Sequence, residues 1–577
     1  MAGELFRTKK LTDILASLTQ TEFQLKRTLG PWSVTLLGIG AIIGAGIFAT
    51  VGTAAAGDAF RPGAGASLML SFAITAVVCA FTALCYAEMA SMVPISGSAY
   101  TYSYATLGEL IAWIIGWDLI IEYAVGNVAV AISWSNYFRS LLESMGVHVP
   151  LWLATDYRTA AHIPGLYEAA PHIAGVPIVF NLLAFLIVGI ITVVLVWGIK
   201  ESARFNAVMV GIKILTLLFF VGVAFYLVSP HEMVANWKPF QPNGWAGTFA
   251  GAAVVFFAFI GFDAVSTVAE ETKNPAKDLP FGIIASLVIC TVFYVLVSAV
   301  FSGMIPYEVL KAKLATEQAE PLTMAIQYRA PAAVWMAGVV ALGSVIAHTA
   351  VLLVFQLGQA RIFFSMSRDG LLPKVFSKVH PKYRTPHINT VIIGFLVGLT
   401  AAVTTIDEMV DLTNIGTLFA FILVCIAIPV LRFKEPDRHR PFRVPLGPWL
   451  FPALGVGSCL FLMLYLPPAS WWRFVGWLFL GMSIYSSYGH YRSTLGSGPK
   501  KTPVSGMFLG FGFLLIAGGL FTIPHDAGLF ELVRQAVSVG AGHGSSLTGL
   551  TLIGAGLFLC ALGAAIRRRV VPSSDPR

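Results

Sequence analysis

Five ionisable side chains stand inside stretches too apolar for ready contact with water. Asp118 and Glu122 lie in "GWDLIIEYAVGN" (116–127), Lys213 in "GIKILTLLFFVG" (211–222), Asp263 in "FFAFIGFDAVSTVAEETKNP" (256–275) and His348 in "GSVIAHTAVLLVF" (343–355). An ionisable group at membrane depth is expensive and marks a functional candidate by default. Asp118 and Glu122 are four residues apart, so a helix puts both on one face. Two like charges there must be protonated, paired or wetted. Pairing with Lys213 or another buried donor is one reading. Contact, through water, with a ligand's ammonium or cationic side chain is the other. Lys213 sits about two helical turns into its segment, roughly 12 Å, at the limit of snorkelling to an interface.

A second pattern bears chemistry without charge. "GIGAIIGAGIFAT" (38–50) places Gly38, Gly40, Gly44 and Gly46 at the centre of an apolar stretch. Glycine costs roughly 1 kcal/mol against alanine in a helix interior. Close helix packing explains such glycines. A deliberate break is the other explanation, and irregular backbone at membrane depth is tolerated only where protein buries it or it lines a cavity. A break frees N–H groups at one half-helix N-terminus, which favour a carboxylate. The carbonyls freed on the other side accept from an ammonium. One site with both properties suits an α-amino acid.

These residues must be positioned by spanning helices. The chain has 577 residues, of which 57% are hydrophobic and 11% charged. That composition excludes an ordinary soluble domain and a disordered chain. Apolar stretches of about 20 residues recur along it. We read fourteen spans, near 33–57, 68–93, 108–138, 176–198, 205–228, 248–268, 281–304, 332–360, 389–405, 412–431, 449–467, 472–490, 506–523 and 548–566. The first thirty residues are polar and basic, without the apolar core of a signal peptide. With the N-terminus in the cytoplasm, 27 of the 37 Lys and Arg residues fall inside, nine outside, and Lys213 within a span. The positive-inside rule then places both termini in the cytoplasm of a multi-pass cell-membrane protein. The net charge of +8 is topological and scattered, which argues against nucleic acid.

Gly261 and Asp263 interrupt the sixth span much as the glycines interrupt the first. By orientation the first span enters from inside and the sixth from outside. Glycine-interrupted spans at corresponding places in two halves point to a transporter binding site. The expected fold is an all-α integral membrane protein with a five-plus-five inverted repeat and discontinuous helices 1 and 6. Its segments are 1–30 (cytoplasmic), 31–228 (first repeat), 248–432 (second repeat), 449–490 (spans 11–12), 505–567 (spans 13–14) and 568–577 (tail). No metal ligand set or cofactor is expected. The six cysteines fall in apolar segments without metal spacing, and His148, His162 and His172 are irregularly spaced. The basic loop 431–445 reads as an anchor beside anionic lipid. H-E-x-x-H, Walker and G-x-S-x-G motifs are absent from the sequence, so an enzyme is disfavoured.

"GIGAIIGAGIF" (38–48), "YAEMASMVPISGSAYTYSYATLGE" (86–109), "FFAFIGFDAVSTVAEETKNPAKDLP" (256–280) and "SMSRDGLLP" (365–373) resemble the amino acid–polyamine–organocation superfamily. The fourteen spans and "GWDLIIEYAVGN" resemble its cationic amino acid transporter branch. The resemblance covers roughly residues 25 to 490. It implies that a substrate carboxylate meets backbone amides around Ile43, Gly44, Ala45 and Gly46. The substrate ammonium would meet carbonyls around Phe257, Ala258 and Ile260, with Asp263 beside the unwound segment; for Asp263 a helix-capping role and a gating role are compatible. It also implies that Lys213 takes the place of a sodium ion and couples transport to H⁺. His348 falls where relatives line the side-chain pocket. Either it lines that pocket and disfavours a long cationic side chain, or it is hydrogen-bonded between helices. A sodium-coupled or exchanging transporter and a non-transporting sensor on the same fold remain open, as do oligomeric state and the choice between cationic and neutral substrates.

Overall fold

The computed structural model describes residues 7–9, 27–58, 60–93, 98–173, 175–198, 203–316, 320–496, 504–522 and 552–562. The expected segments 1–30 and 568–577 lie largely outside these residues, as does the loop 524–547. Among these described residues fourteen apolar helical elements follow one another. They are α1 (Pro31–Ile42, continued by Ala45–Phe48 and Thr50–Ala56), α2 (Gly65–Met92), α3 (Glu109–Ser144), α4 (Leu182–Trp197) and α5 (Asn206–Leu227). There follow α6 (Gly244–Ala269), α7 (Pro275–Met304), α8 (Val334–Arg368), α9 (His387–Val403) and α10 (Ile406–Lys434). The last four are α11 (Leu450–Met463), α12 (Pro468–Arg492), α13 (Val504–Gly518) and α14 (Leu552–Leu562). Seven of them are long and apolar enough to cross a bilayer on their own. The chain reverses through 117° between α11 and α12. Helices dominate because hydrocarbon offers no partner for a free N–H or C=O, and a helix satisfies these groups within itself.

Elements that shape the site run longer than the sequence suggested. α3 extends to Ser144 and α8 to Arg368, past the expected ends at 138 and 360. Their last turns carry polar residues that hydropathy discards but helical hydrogen bonding keeps. α7 packs along both α1 and α2, and α8 along α3 and α5. In the loop between α3 and α4 a two-stranded antiparallel ribbon pairs His172 with Pro177 and Ile173 with Val176.

Candidate substrate and coupling site

α1 is broken as its glycines suggested. Ile43 turns extended (φ −74°, ψ 103°) and Gly44 follows at φ −160°, ψ −142°, before the helix restarts at Ala45. α6 tightens into a 3-10 turn over Phe256–Phe259, then opens at Ile260 (φ −61°, ψ 133°) and at Gly261, whose φ is +121°. Only glycine adopts that last conformation without strain. The two breaks interlock. A Cβ on Gly46 would lie 2.1 Å from the Ala258 Cα, and one on Gly261 would lie 2.9 Å from the Ala41 carbonyl. Each helix uses a glycine to let the other's backbone approach. The Tyr294 hydroxyl from α7 lies 2.9 Å from the Ile42 carbonyl and 2.8 Å from that of Ala258. It donates to one at a time and ties the two breaks together.

Lys213 on α5 is fully buried and does not snorkel. Its Nζ donates to the Gly40 carbonyl at 2.5 Å and to the Ile43 carbonyl at 2.9 Å. These are carbonyls at the C-terminal end of a half-helix, where a cation is favoured. The break thus supplies the negative pole that makes a buried ammonium tenable.

Glu122 points elsewhere. α3 contains one π-turn, Ile121–Val125, which holds Glu122 and Tyr123. Such turns inside α-helices frequently occur at functional sites. Here it brings the Glu122 carboxyl close to that of Asp263, while the Tyr123 hydroxyl donates to Asp263 Oδ2 at 3.3 Å. Asp263 does not cap the lower half of α6 as anticipated. It is the first residue of the turn Asp263–Glu271, and the cap position before it is held by Phe262. Among the described residues, Glu122 Oε2, Asp263 Oδ1 and both oxygens of Asp118 are buried without a hydrogen-bond partner, as is the nearby Tyr86 hydroxyl. Buried acceptors in that state are costly, and they make this face of the breaks receptive to a proton or an ammonium.

His348 is fully buried between α3 and α8. Its Nδ1 lies 2.6 Å from the Ser344 carbonyl, which fixes Nδ1 as the protonated nitrogen. Nε2 lies 2.7 Å from the Ser133 hydroxyl and, in the neutral ring, accepts from it. Both ring nitrogens are therefore used between helices. The ring also packs 5.8 Å from that of Phe48 and 5.7 Å from that of Tyr137. The nitrogens match the reading of His348 as hydrogen-bonded between helices, and its ring faces the second half of α1.

Of the expected substrate contacts, Ile43, Gly44, Ala45 and Gly46 form the break itself, and Val351 of α8 closes on Gly44. The carbonyls of Phe257 and Ala258 already accept from Ile260 N–H and Tyr294. Each carbonyl keeps a second lone pair. Sequence reasoning missed Tyr294, Tyr123, Tyr137 and Ser133. A tyrosine within an apolar span, whose hydroxyl needs a partner when buried, was the available signal. Among the described residues no cluster of three or more His, Cys, Asp or Glu could hold a metal ion.

Two broken helices locked across each other around buried ionisable groups define a membrane transporter of the discontinuous-helix kind. Residues 29–482 match the amino acid permease family model, and the chain belongs to that family, whose members are transporters rather than enzymes. It is 48% identical to the branched-chain amino acid permease BcaP of Bacillus subtilis, over 86% of this chain and 100% of the relative. It is 43% identical to the methylthioribose transporter of the same organism, over 85% and 99%. It is also 36% identical to the vacuolar cationic amino acid transporter 4 of Arabidopsis thaliana, over 75% and 68%.

Proposed function

We propose that the protein imports a neutral, apolar-side-chain α-amino acid together with a proton, by alternating access, with both termini in the cytoplasm. The observation that carries the coupling is the Lys213 ammonium on the Gly40 and Ile43 carbonyls. Protonated, the lysine holds the end of the first half of α1 against α5. Once the proton leaves, that charge-assisted hold is gone and the half-helix can swing. The substrate carboxylate takes the amides that begin the second half of α1, at Gly44, Ala45 and Gly46. Its ammonium takes the spare lone pairs of the Phe257, Ala258 and Ile260 carbonyls, with Glu122 and Asp263 beyond. Two carboxyl groups in contact need a cation or a proton between them, so this face accommodates the ammonium without a second counter-ion.

The side-chain pocket supports a neutral substrate. Its wall is His348 and Val351 from α8, with both His348 nitrogens engaged between helices, together with Phe48 from the second half of α1. None of these offers an anion to a guanidinium or lysine side chain. The branched-chain permease among the relatives fits that reading.

The test is uptake by purified protein in sodium-free liposomes, with labelled valine or arginine and with or without an inward proton gradient. Gradient-driven valine uptake, lost in Lys213→Met, is the expected result. Uptake of arginine in preference to valine overturns the pocket reading. Uptake restored only by sodium overturns the role of the lysine. Because one relative carries methylthioribose, unlabelled methylthioribose is included as a competitor.

A further inference from the structure

The C-terminal turns of α10 and the first turns of α11 do not close on each other. Pro429 interrupts the hydrogen bonding of α10, and a proline inside a helix bends it. The facing wall of α11 is shallow, because Ala453 and Gly457 fall four residues apart on one face. A Cβ at Gly457 would meet nothing within 4 Å. Between the helices lies a cavity of about 610 Å³, walled by side chains such as Val430, Phe433, Ala453 and Val456. Phe433 is 88% exposed and Trp449, at the rim, 71%. A tryptophan such as Trp449 at a helix end is a usual mark of the membrane interface.

One group in this lining is charged, Lys434. It donates to the Thr106 carbonyl at 2.9 Å, and an ammonium carries three donors. The segment from Arg432 to Arg443 holds five basic residues against Glu435 and Asp437. Arg432 and Arg440 are taken by Glu88, and Arg438 by Glu435. Lys434 and Arg443 are left as the cations of this loop without an acidic partner among the described residues, and both are exposed. An apolar slot that opens toward hydrocarbon and ends at a surplus of positive charge has the chemistry of a lipid tail below an anionic headgroup.

We propose that the α10–α11 groove binds one anionic diacyl phospholipid, an acyl chain lying against Ala453 and Gly457 and the phosphate at Lys434. This site is separate from the two helix breaks and does not depend on the substrate assigned to them. The recognition is twofold: depth for the chain and charge for the head. The headgroup contribution, about one lysine at a membrane surface, corresponds to roughly a fivefold preference over a zwitterionic lipid.

Native mass spectrometry of the full-length protein, extracted in detergent and titrated with phosphatidylglycerol or phosphatidylcholine of identical chains, tests this. One phosphatidylglycerol should be retained at energies that strip phosphatidylcholine. Gly457→Phe fills the slot and should lower retention about tenfold. Lys434→Gln should reduce the preference between the two lipids while leaving chain binding. Ala453→Leu obstructs the same slot by a smaller change, so the test survives if the phenylalanine variant fails to fold. Equal retention of both lipids by the wild type overturns headgroup recognition. Undiminished phosphatidylglycerol retention in folded Gly457→Phe or Ala453→Leu overturns the groove as the site.

Discussion

Gly46→Ala is the smallest change that should disable this protein. The added methyl carbon would stand 2.1 Å from the Ala258 Cα, 2.5 Å from its Cβ and 2.8 Å from its nitrogen. Non-bonded carbons rest at about 3.5 to 4.0 Å, so the two breaks must separate by roughly 1.4 Å or more. The atoms that must give way are backbone, held on the other side by Tyr294 at the Ala258 carbonyl. No rotamer change absorbs the clash. Overpacking of this sort costs about 1–3 kcal/mol, and displacing reacting or binding groups by 1 Å costs about a hundredfold in rate. We expect Gly46→Ala to lower the melting temperature by several degrees and to lower uptake about a hundredfold. Two further glycines calibrate the result. Gly44→Ala meets only the Val351 side chain, tightly at Cγ2 (2.8 Å), which can turn; its loss should be milder. Gly211→Ala on α5 meets nothing within 4 Å and should be neutral or stabilising by up to about 1 kcal/mol. The assay is proteoliposome uptake alongside a thermal unfolding scan. If Gly46→Ala transports and melts like the wild type, the interlocked breaks are not what the glycine serves.

Other perturbations separate the remaining contributions. Lys213→Met removes the ammonium from the Gly40 and Ile43 carbonyls and should abolish gradient-driven uptake while leaving substrate exchange between equilibrated compartments; loss of both would make the lysine structural. Tyr294→Phe leaves two buried carbonyls one donor short, a cost of about 1–2 kcal/mol, visible as a lower melting temperature with unchanged helix content. Arg61 lies between Asp58 and Asp411, bonding each at 2.6 Å. Arg61→Met strands the buried Asp411 and should cost about 3–5 kcal/mol, whereas an unchanged melting temperature would show that the bridge adds nothing. Glu320, at the start of the helix Pro321–Arg329, is pushed up to about 7, chiefly by burial and against the pull of Arg139. The folded state then keeps a proton that the unfolded chain loses above its ordinary value near 4.5. Stability should therefore fall as pH rises from about 4.5 to 7 and level off beyond, and Glu320→Gln should remove that slope in melting temperature.

Much of this architecture could be read before any coordinates. Apolar length located all fourteen helical elements, because a bilayer demands about 20 apolar residues per span whatever the neighbours do. Glycine content located the break of α1, and the Gly261–Asp263 pair that of α6, because few other residues tolerate such backbone at membrane depth. The sequence also singled out Lys213, Glu122, Asp263 and His348, since ionisable groups do not persist in hydrocarbon without a reason.

What these groups touch was decided by the tertiary structure alone. Lys213 reaches carbonyls more than 160 residues away in the chain, and nothing local marks their direction. The π-turn at Ile121–Val125 shifts the helical register, so the spacing of Asp118 and Glu122 did not reveal that Glu122 would meet Asp263. The tautomer of His348 follows from Ser133 and Ser344, one of them on another helix. Composition and periodicity are properties of a segment and can be summed along it. Partners are properties of packing, and they exist only once helices distant in sequence have come together.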